Sequence, residues 1–209
     1  MGRPQDKDSN YAFLEAMHYL QEHEDGQLTV SDLAQKMEEF SQDQSSAYSN
    51  RYLKSKIEEH AVLHAVLGCD TTSSPFGLGK ATSLKKFQEP DFRIQAKVFD
   101  DPASTAVAIQ AAGEKALVTL YGGKEGESLD SLRYRKYYEK VATKANQIQP
   151  QNLPPSSAAA KYHSLRVFYQ VKQWQGQDAD LSLVDFGWKI NGKQVLPITT
   201  DLPAAPQRC

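Results

Sequence analysis

The sequence predicts a mainly α protein, and three observations carry that reading. Apolar residues recur at helical spacing along most of the chain, as in Tyr11, Leu14 and Met17 near the front and Tyr162, Leu165, Phe168 and Tyr169 near the back. The periodic runs are separated by helix-stopping or helix-starting residues such as Gly122-Gly123 and Pro90. Strand-prone pieces are confined to a short stretch at 28–30 and a possible small hairpin near 187–198.

Taken in order, the first ten residues are polar, and a helix is expected over 10–23. A turn at "EDG" and the piece at 28–30 then lead to a helix capped by Ser31, with Leu33, Met37 and Phe40 on one face. A third helix starts near Ser49 and runs through Tyr52, Leu53 and Ile57 toward Val62, Leu63 and Leu67. This arrangement is compatible with a small helix-turn-helix or winged-helix unit. The segment "KATSLKKFQ" (80–88) reads as a short basic helix, and Pro90 opens another through Phe99. Asp101-Pro102 is expected to start a helix that ends at Gly122-Gly123, and a further helix is expected over 128–146. "QIQPQNLPPSS" reads as a rigid linker, followed by a long helix over 156–174. An Asn-Gly turn at 191–192 would close the hairpin before a proline-rich tail. The domain division is therefore an acidic helical unit (1–60), a helical region (61–147), a Pro-rich linker (148–157), and a long helix with its tail (158–209).

At 209 residues the chain is long enough for one ordinary domain or two small ones. With 24 basic and 26 acidic residues there is no strong global field for nucleic acid or a membrane surface, so any polyanion contact must be local. Charge is unevenly placed. Residues 1–60 hold six basic and twelve acidic residues, a net of −6, leaving 18 basic and 14 acidic, a net of +4, in the rest. That acidic surface favours a structural or protein-contact role for the first unit over DNA binding. No apolar run approaches the roughly 20 residues that span a bilayer, and "MGRPQDKDSN" lacks the apolar core of a signal peptide. No membrane partner is expected. Two cysteines, Cys69 and Cys209, are too few for a disulfide scaffold and fit a reducing, intracellular setting, nuclear or cytoplasmic.

The chemistry-bearing stretch is "HAVLGCDTTSSPFGLGK", residues 64–80. His60 and His64 stand four apart on a helix with Cys69 five residues on, a spacing that can offer ligands to zinc, although no fourth ligand is suggested. The bland reading is a helix end with partly buried histidines. Cys69 lacks the histidine and acid that would activate a nucleophile. Gly77-Leu78-Gly79-Lys80 lacks the longer glycine frame, and the hydroxyl after the lysine, of a P-loop. Asp70 with Thr71, Thr72 and Ser73 can equally cap a turn, and Gly77 and Gly79 are ordinary residues for a sharp bend. The basic and aromatic segments "SLRYRKYYEK" and "KYHSLRVFYQVKQW" could hold a nucleic-acid backbone and stack its bases. At helical spacing the expected reading is instead core aromatics, with Arg and Lys as the wet face.

The Gly-Cys-Asp and Phe-Gly-Leu-Gly-Lys pieces resemble a segment of the PIN-like, flap-endonuclease-like nucleases. They are most similar to a group of mobile-element-associated animal proteins carrying His-Ala-x-x-Gly-Cys-Asp-Thr-Thr-Ser followed by Phe-Gly-x-Gly-Lys. "FLEAMHYLQEHEDGQLTVSDLAQKMEE", "YSNRYLKSKIEEH" and "FGWKINGKQVLPITTDLPAAP" look like the same group, so the resemblance covers most of the chain. It implies that Asp70 is a ligand to Mg2+ or Mn2+, shared with carboxylates from other strands. It also implies that the turn Gly77-Leu78-Gly79-Lys80 brings backbone N–H groups close to a phosphate, and any DNA binding is expected to use Lys80, Lys85 and Lys86 with the Gly77 to Gly79 backbone on phosphates without reading bases. In such a nuclease the sheet bearing the other carboxylates should lie ahead of Gly-Cys-Asp, yet "KIEEH" runs straight into "AVLHAVLGCD". The expectation is therefore an internally deleted and C-terminally truncated member, a non-catalytic remnant with weak, sequence-independent DNA binding. The alternatives are a helical protein-interaction module centred on residues 1–60, and a metal-dependent, structure-specific nuclease.

Overall fold

The computed structural model describes residues 60–69, 71–79, 83, 86, 90–143 and 148–202. The expected helices over 10–23 and after Ser31, the strand-prone piece at 28–30 and most of the expected basic helix at 80–88 lie outside the described residues, and the expected helix from Ser49 toward Leu67 is described from residue 60. Within them the chain is mainly α with one small hairpin. The helices are α1 (60–67), α2 (Pro90–Asp100), α3 (Ala106–Leu120), α4 (Leu129–Ala142) and α5 (Ser157–Trp174). The hairpin pairs β1 (Trp188–Asn191) with β2 (Gln194–Pro197). No described helix is long and apolar enough to cross a membrane.

Helix α5 is the spine of the core. Every residue from His163 to Lys172 is buried, so the helix is enclosed on all sides rather than along one stripe. Its aromatic residues pack inward as the periodicity predicts, but its polar residues do so as well. Three of them reach elements far away in sequence. His163 Nε2 lies 3.0 Å from Val66 O on α1, and the Lys172 ammonium donates to Asp100 O at the end of α2. The Arg166 guanidinium donates to Gly187 O (3.1 Å) and Ile198 O (2.7 Å), at either end of the hairpin. Buried polar groups must be paired, and here the partners are mostly backbone carbonyls. The expectation of a wet Arg and Lys face is thus corrected for Arg166 and Lys172.

Helix α3 crosses α5 at close range because small residues meet there: Ala112, Gly113 and Ala116 on one side, Ala160 and Ser164 on the other. A Cβ at position 113 would lie 1.9 Å from Ser164 Oγ. The start of α3 differs from expectation. Asp101 Oδ1 accepts from Ala103 N–H (2.9 Å), drawing Asp101-Pro102 into a turn, and the helix begins only after Thr105, whose Oγ1 accepts from Ala108 N–H. Its end follows the glycines: Gly122 has φ +72°, and Gly123 N–H donates to Val118 O (2.8 Å).

The caps of α4 and α5 are Ser128 and Ser156, whose hydroxyls accept from Ser131 and Ala159 N–H. Glu114 of α3 links both helix starts, because its Oε1 accepts from Leu129 N–H (2.9 Å) and Ser157 Oγ–H (2.7 Å). Helix α4 closes at Thr143, before the expected residue 146. Between α4 and α5, residues Pro150–Asn152 form a 3-10 turn, and Leu153 and Pro154 are buried. Arg133 donates to Pro150 O and Pro154 O, and Lys140 to Asn152 O, so this segment is packed onto the back of α4 instead of spanning open solvent. In the hairpin, Asn191 pairs with Gln194, which makes Gly192-Lys193 the two loop residues. Gly192 has φ +60°, as the first loop position of a tight hairpin requires, so the turn lies one residue beyond the expected Asn-Gly.

Candidate functional site at the glycine turn and the α4 face

Helix α1 stops because Gly68 adopts φ +102°, a conformation that an L side chain rarely takes, and because a Cβ there would lie 2.5 Å from Ser74 Cα. Thr72 then folds back onto the helix end. Its hydroxyl donates to Ala65 O (2.7 Å) and accepts from Cys69 N–H (3.0 Å), and a one-residue bridge joins Cys69 to Thr72. The Cys69 thiol lies 3.2 Å from Thr72 Oγ1 and 3.4 Å from Thr71 Oγ1. Thr71 itself donates to Gln170 Oε1 on α5. The two threonine hydroxyls of the motif are therefore fasteners that hold the helix end to the core.

Beyond them, Leu78 N–H donates to Pro75 O (3.4 Å) across Phe76-Gly77, with Gly77 at φ +77°. The Tyr121 hydroxyl donates to Phe76 O (2.8 Å), pinning this turn to the end of α3. Burial pushes the Tyr121 phenol up to about 12, so it keeps the proton it donates at any ordinary pH. Among the described residues no atom lies within 4 Å of where a Cβ would stand on Gly77 or Gly79, so neither glycine backbone is covered by them. Phe76 is exposed beside them.

Of the other residues implicated by the motif, Asp70, Lys80 and Lys85 lie outside the described residues. Lys86 is described, and its ammonium donates to Leu120 O (2.8 Å) and Thr119 O (3.4 Å). It thereby adds a donor to the last carbonyls of α3, of which Thr119 O also accepts from Gly122 N–H (3.0 Å). Its charge is turned toward α3, while the glycine turn is held from the same helix end by Tyr121. Of the proposed zinc set, His64 stacks on Trp174 (5.7 Å between centroids), His60 is buried, and Cys69 faces threonine hydroxyls. Among the described residues no three His, Cys, Asp or Glu side chains come together, so they offer no ligand set that fits Zn2+, Mg2+ or Mn2+.

A second surface is the exposed face of α4. Tyr134, Tyr137, Tyr138 and Val141, at i, i+3, i+4 and i+7, are 69%, 45%, 64% and 46% exposed. The periodicity is that of a core stripe, and the expectation of core packing is corrected here: α4 buries only Leu129 and Leu132 and turns its tyrosines outward. The back of the helix is occupied by Arg133 and Lys140 holding the 150–154 segment. Arg135 is held by Glu127, through bonds of 2.8 and 2.9 Å, and by Glu139 at 2.9 Å. The Arg135 guanidinium, with Lys124 N–H, brings the Glu127 carboxyl down to about 2. The cations of "SLRYRKYYEK" are thus largely paired within the chain, while its tyrosines are exposed.

The chain matches no family model, no curated protein and no solved structure.

Proposed function

We propose that the chain acts as a helical protein-interaction unit whose contact face is the tyrosine stripe of α4. The observation that carries this reading is the outward placement of four apolar side chains at helical spacing on a helix whose opposite face is already packed. The three tyrosines and the valine present on the order of 400 Å² of aromatic and aliphatic surface, within the range of the largest patches on soluble monomers, which are often contact sites. Tyrosine is enriched at such sites because its ring buries a large area at little entropic cost while its hydroxyl tolerates water. A photo-crosslinking amino acid placed at Tyr138 is expected to give a protein adduct in cells. The adduct should vanish when Tyr134→Asp is combined with Val141→Asp and persist with Lys115→Ala on α3. No adduct, or one indifferent to the aspartates, rejects the reading.

A second reading is favoured by the backbones of Gly77 and Gly79, which no described residue covers. The resemblance to PIN-like nucleases would make this turn a phosphate contact, with Lys80 and Lys85 supplying charge and no catalysis required. Fluorescence titration with duplex and flap DNA at low salt is the check. Lys80→Ala with Lys85→Ala should abolish binding, whereas Lys86→Ala should leave it and instead lower stability by about 1 kcal/mol through loss of the α3 end contacts. Absence of binding at low salt removes this reading. Magnesium-dependent cleavage lost on Asp70→Asn would instead favour the nuclease alternative.

A further inference from the structure

We infer that Ser74 is a phosphorylation site, the acceptor of a phosphoryl group from a proline-directed serine kinase, and that the phosphate closes onto the glycine turn. Of the ten prolines in the chain, Pro75 alone follows a hydroxyl residue. Proline carries no N–H and biases the residue before it toward an extended conformation. Ser-Pro therefore suits a kinase cleft that takes an extended segment and offers no acceptor at the next position. The fold presents this pair. Residues 73–75 lie outside any helix or strand, and Ser74 is exposed. Its backbone is seated against the end of α1, since a Cβ on Gly68 would lie 2.5 Å from Ser74 Cα.

The hydroxyls of the motif divide by use. Thr71 donates to Gln170 Oε1 and Thr72 to Ala65 O, so both are committed to the core. The Ser74 hydroxyl makes no hydrogen bond among the described residues. Ser73 is exposed as well, but no proline follows it.

The turn supplies what a phosphate on Ser74 would bind. Phe76 and Gly77, two and three residues on, form the corners of the turn closed by Leu78 N–H on Pro75 O, and their own N–H groups have no acceptor among the described residues. A serine side chain commonly reaches the N–H two residues ahead, and a phosphate brings three acceptor oxygens and a charge of roughly −1.5 to −2 at pH 7 to the same place. In the transfer, Ser74 Oγ attacks the γ-phosphorus of a nucleoside triphosphate, its proton passes to the kinase's base and the diphosphate leaves, so one O–P bond replaces another. These N–H groups belong to the turn that the DNA reading sets against a backbone phosphate. Where that reading holds, the modification displaces DNA; the acceptor site itself does not depend on it.

The purified, folded full chain is incubated with a nucleoside triphosphate and a cyclin-dependent or, separately, a mitogen-activated kinase, and modified peptides are mapped by mass spectrometry. Phosphate on Ser74 is expected. Ser73→Ala should retain it, whereas Ser74→Ala, with an unchanged helical spectrum, and Pro75→Ala should each abolish incorporation there. Amide spectra of the phosphorylated chain should show the Phe76 and Gly77 N–H signals moved downfield, and phosphatase should return them. No phosphate on Ser74 with either kinase, or incorporation only after the chain is denatured, overturns the inference. Phosphate on Ser74 with both amides unmoved removes the closure and leaves the acceptor. DNA bound equally by the modified and unmodified chains removes the displacement, and a chain that binds no DNA in either form removes the DNA reading alone.

Discussion

Gly113→Ala is expected to destabilise the protein by about 2 kcal/mol or more, even though alanine is favoured over glycine inside a helix by roughly 1 kcal/mol. The added methyl would lie 1.9 Å from Ser164 Oγ and 2.5 Å from Ser164 Cβ, so rotating the hydroxyl does not relieve the overlap. The Ser164 hydroxyl is also committed to Ala160 O at 2.7 Å. The ring of Phe99, 3.5 Å from the same point, closes another direction of escape. Relief therefore requires α3 and α5 to separate, and that loosens the most closely packed crossing in the core. Urea denaturation of the single variant and of Gly113→Ala with Ser164→Gly is the measurement. The double variant should recover part of the loss, giving a coupling of at least about 1 kcal/mol. An unchanged midpoint for Gly113→Ala would show that the two helices are not held this close.

The second large effect is acid destabilisation through His163. Burial, against the opposing hydrogen bond to Val66 O and aided by the nearby positive charge of Arg166, takes its imidazole from the ordinary 6.5 down to about 4. The neutral ring then presents Nε2–H to Val66 O. In the unfolded chain the same imidazole takes up a proton near pH 6.5, so below that pH protons favour unfolding. The contribution is fully present above about pH 6.5 and is lost as pH falls toward about 4, amounting to about 3 kcal/mol. Denaturation midpoints measured at pH 7.5 and pH 4.5 should diverge much more for the wild-type chain than for His163→Gln. His163→Gln should be weaker at pH 7.5 and flatter with pH. Parallel pH profiles for the two proteins would assign the acid sensitivity to other groups.

How far the sequence could be read depends on whether the deciding interaction is local. Pro90 opening α2, the glycine pair ending α3, and the long helix over 157–174 are set by residues within a turn or two of the boundary, and they were legible. Local competition accounts for the misplaced start of α3: Asp101 had two plausible uses, and its side chain took the amide of Ala103. Periodicity supplied a face for both tyrosine-rich helices but not the direction in which that face points. In α5 it points inward along with Arg166 and Lys172, because carbonyls from residues 100, 187 and 198 arrive to meet them. In α4 it points outward, because the 150–154 segment takes the opposite side. Neither outcome is encoded nearby in the chain. At the glycine motif the turn itself was readable, whereas the fastening of Thr71 to Gln170, Phe76 to Tyr121 and Lys86 to Leu120 depended on partners 34 to 99 positions away.

The enclosed helix α5 also determines when this molecule can exist during its own synthesis. Val66 and Thr71 find their α5 partners 97 and 99 residues later, and the end of α2 waits for Lys172. At a translation rate of about 5–20 residues per second, α1 and the glycine turn emerge from the ribosome on the order of 5–20 s before the helix that anchors them. Throughout that interval the apolar faces of α1, α2 and α3 have no spine to close on. Nascent chains stalled before α5 should therefore be held by chaperones, and full-length chains released.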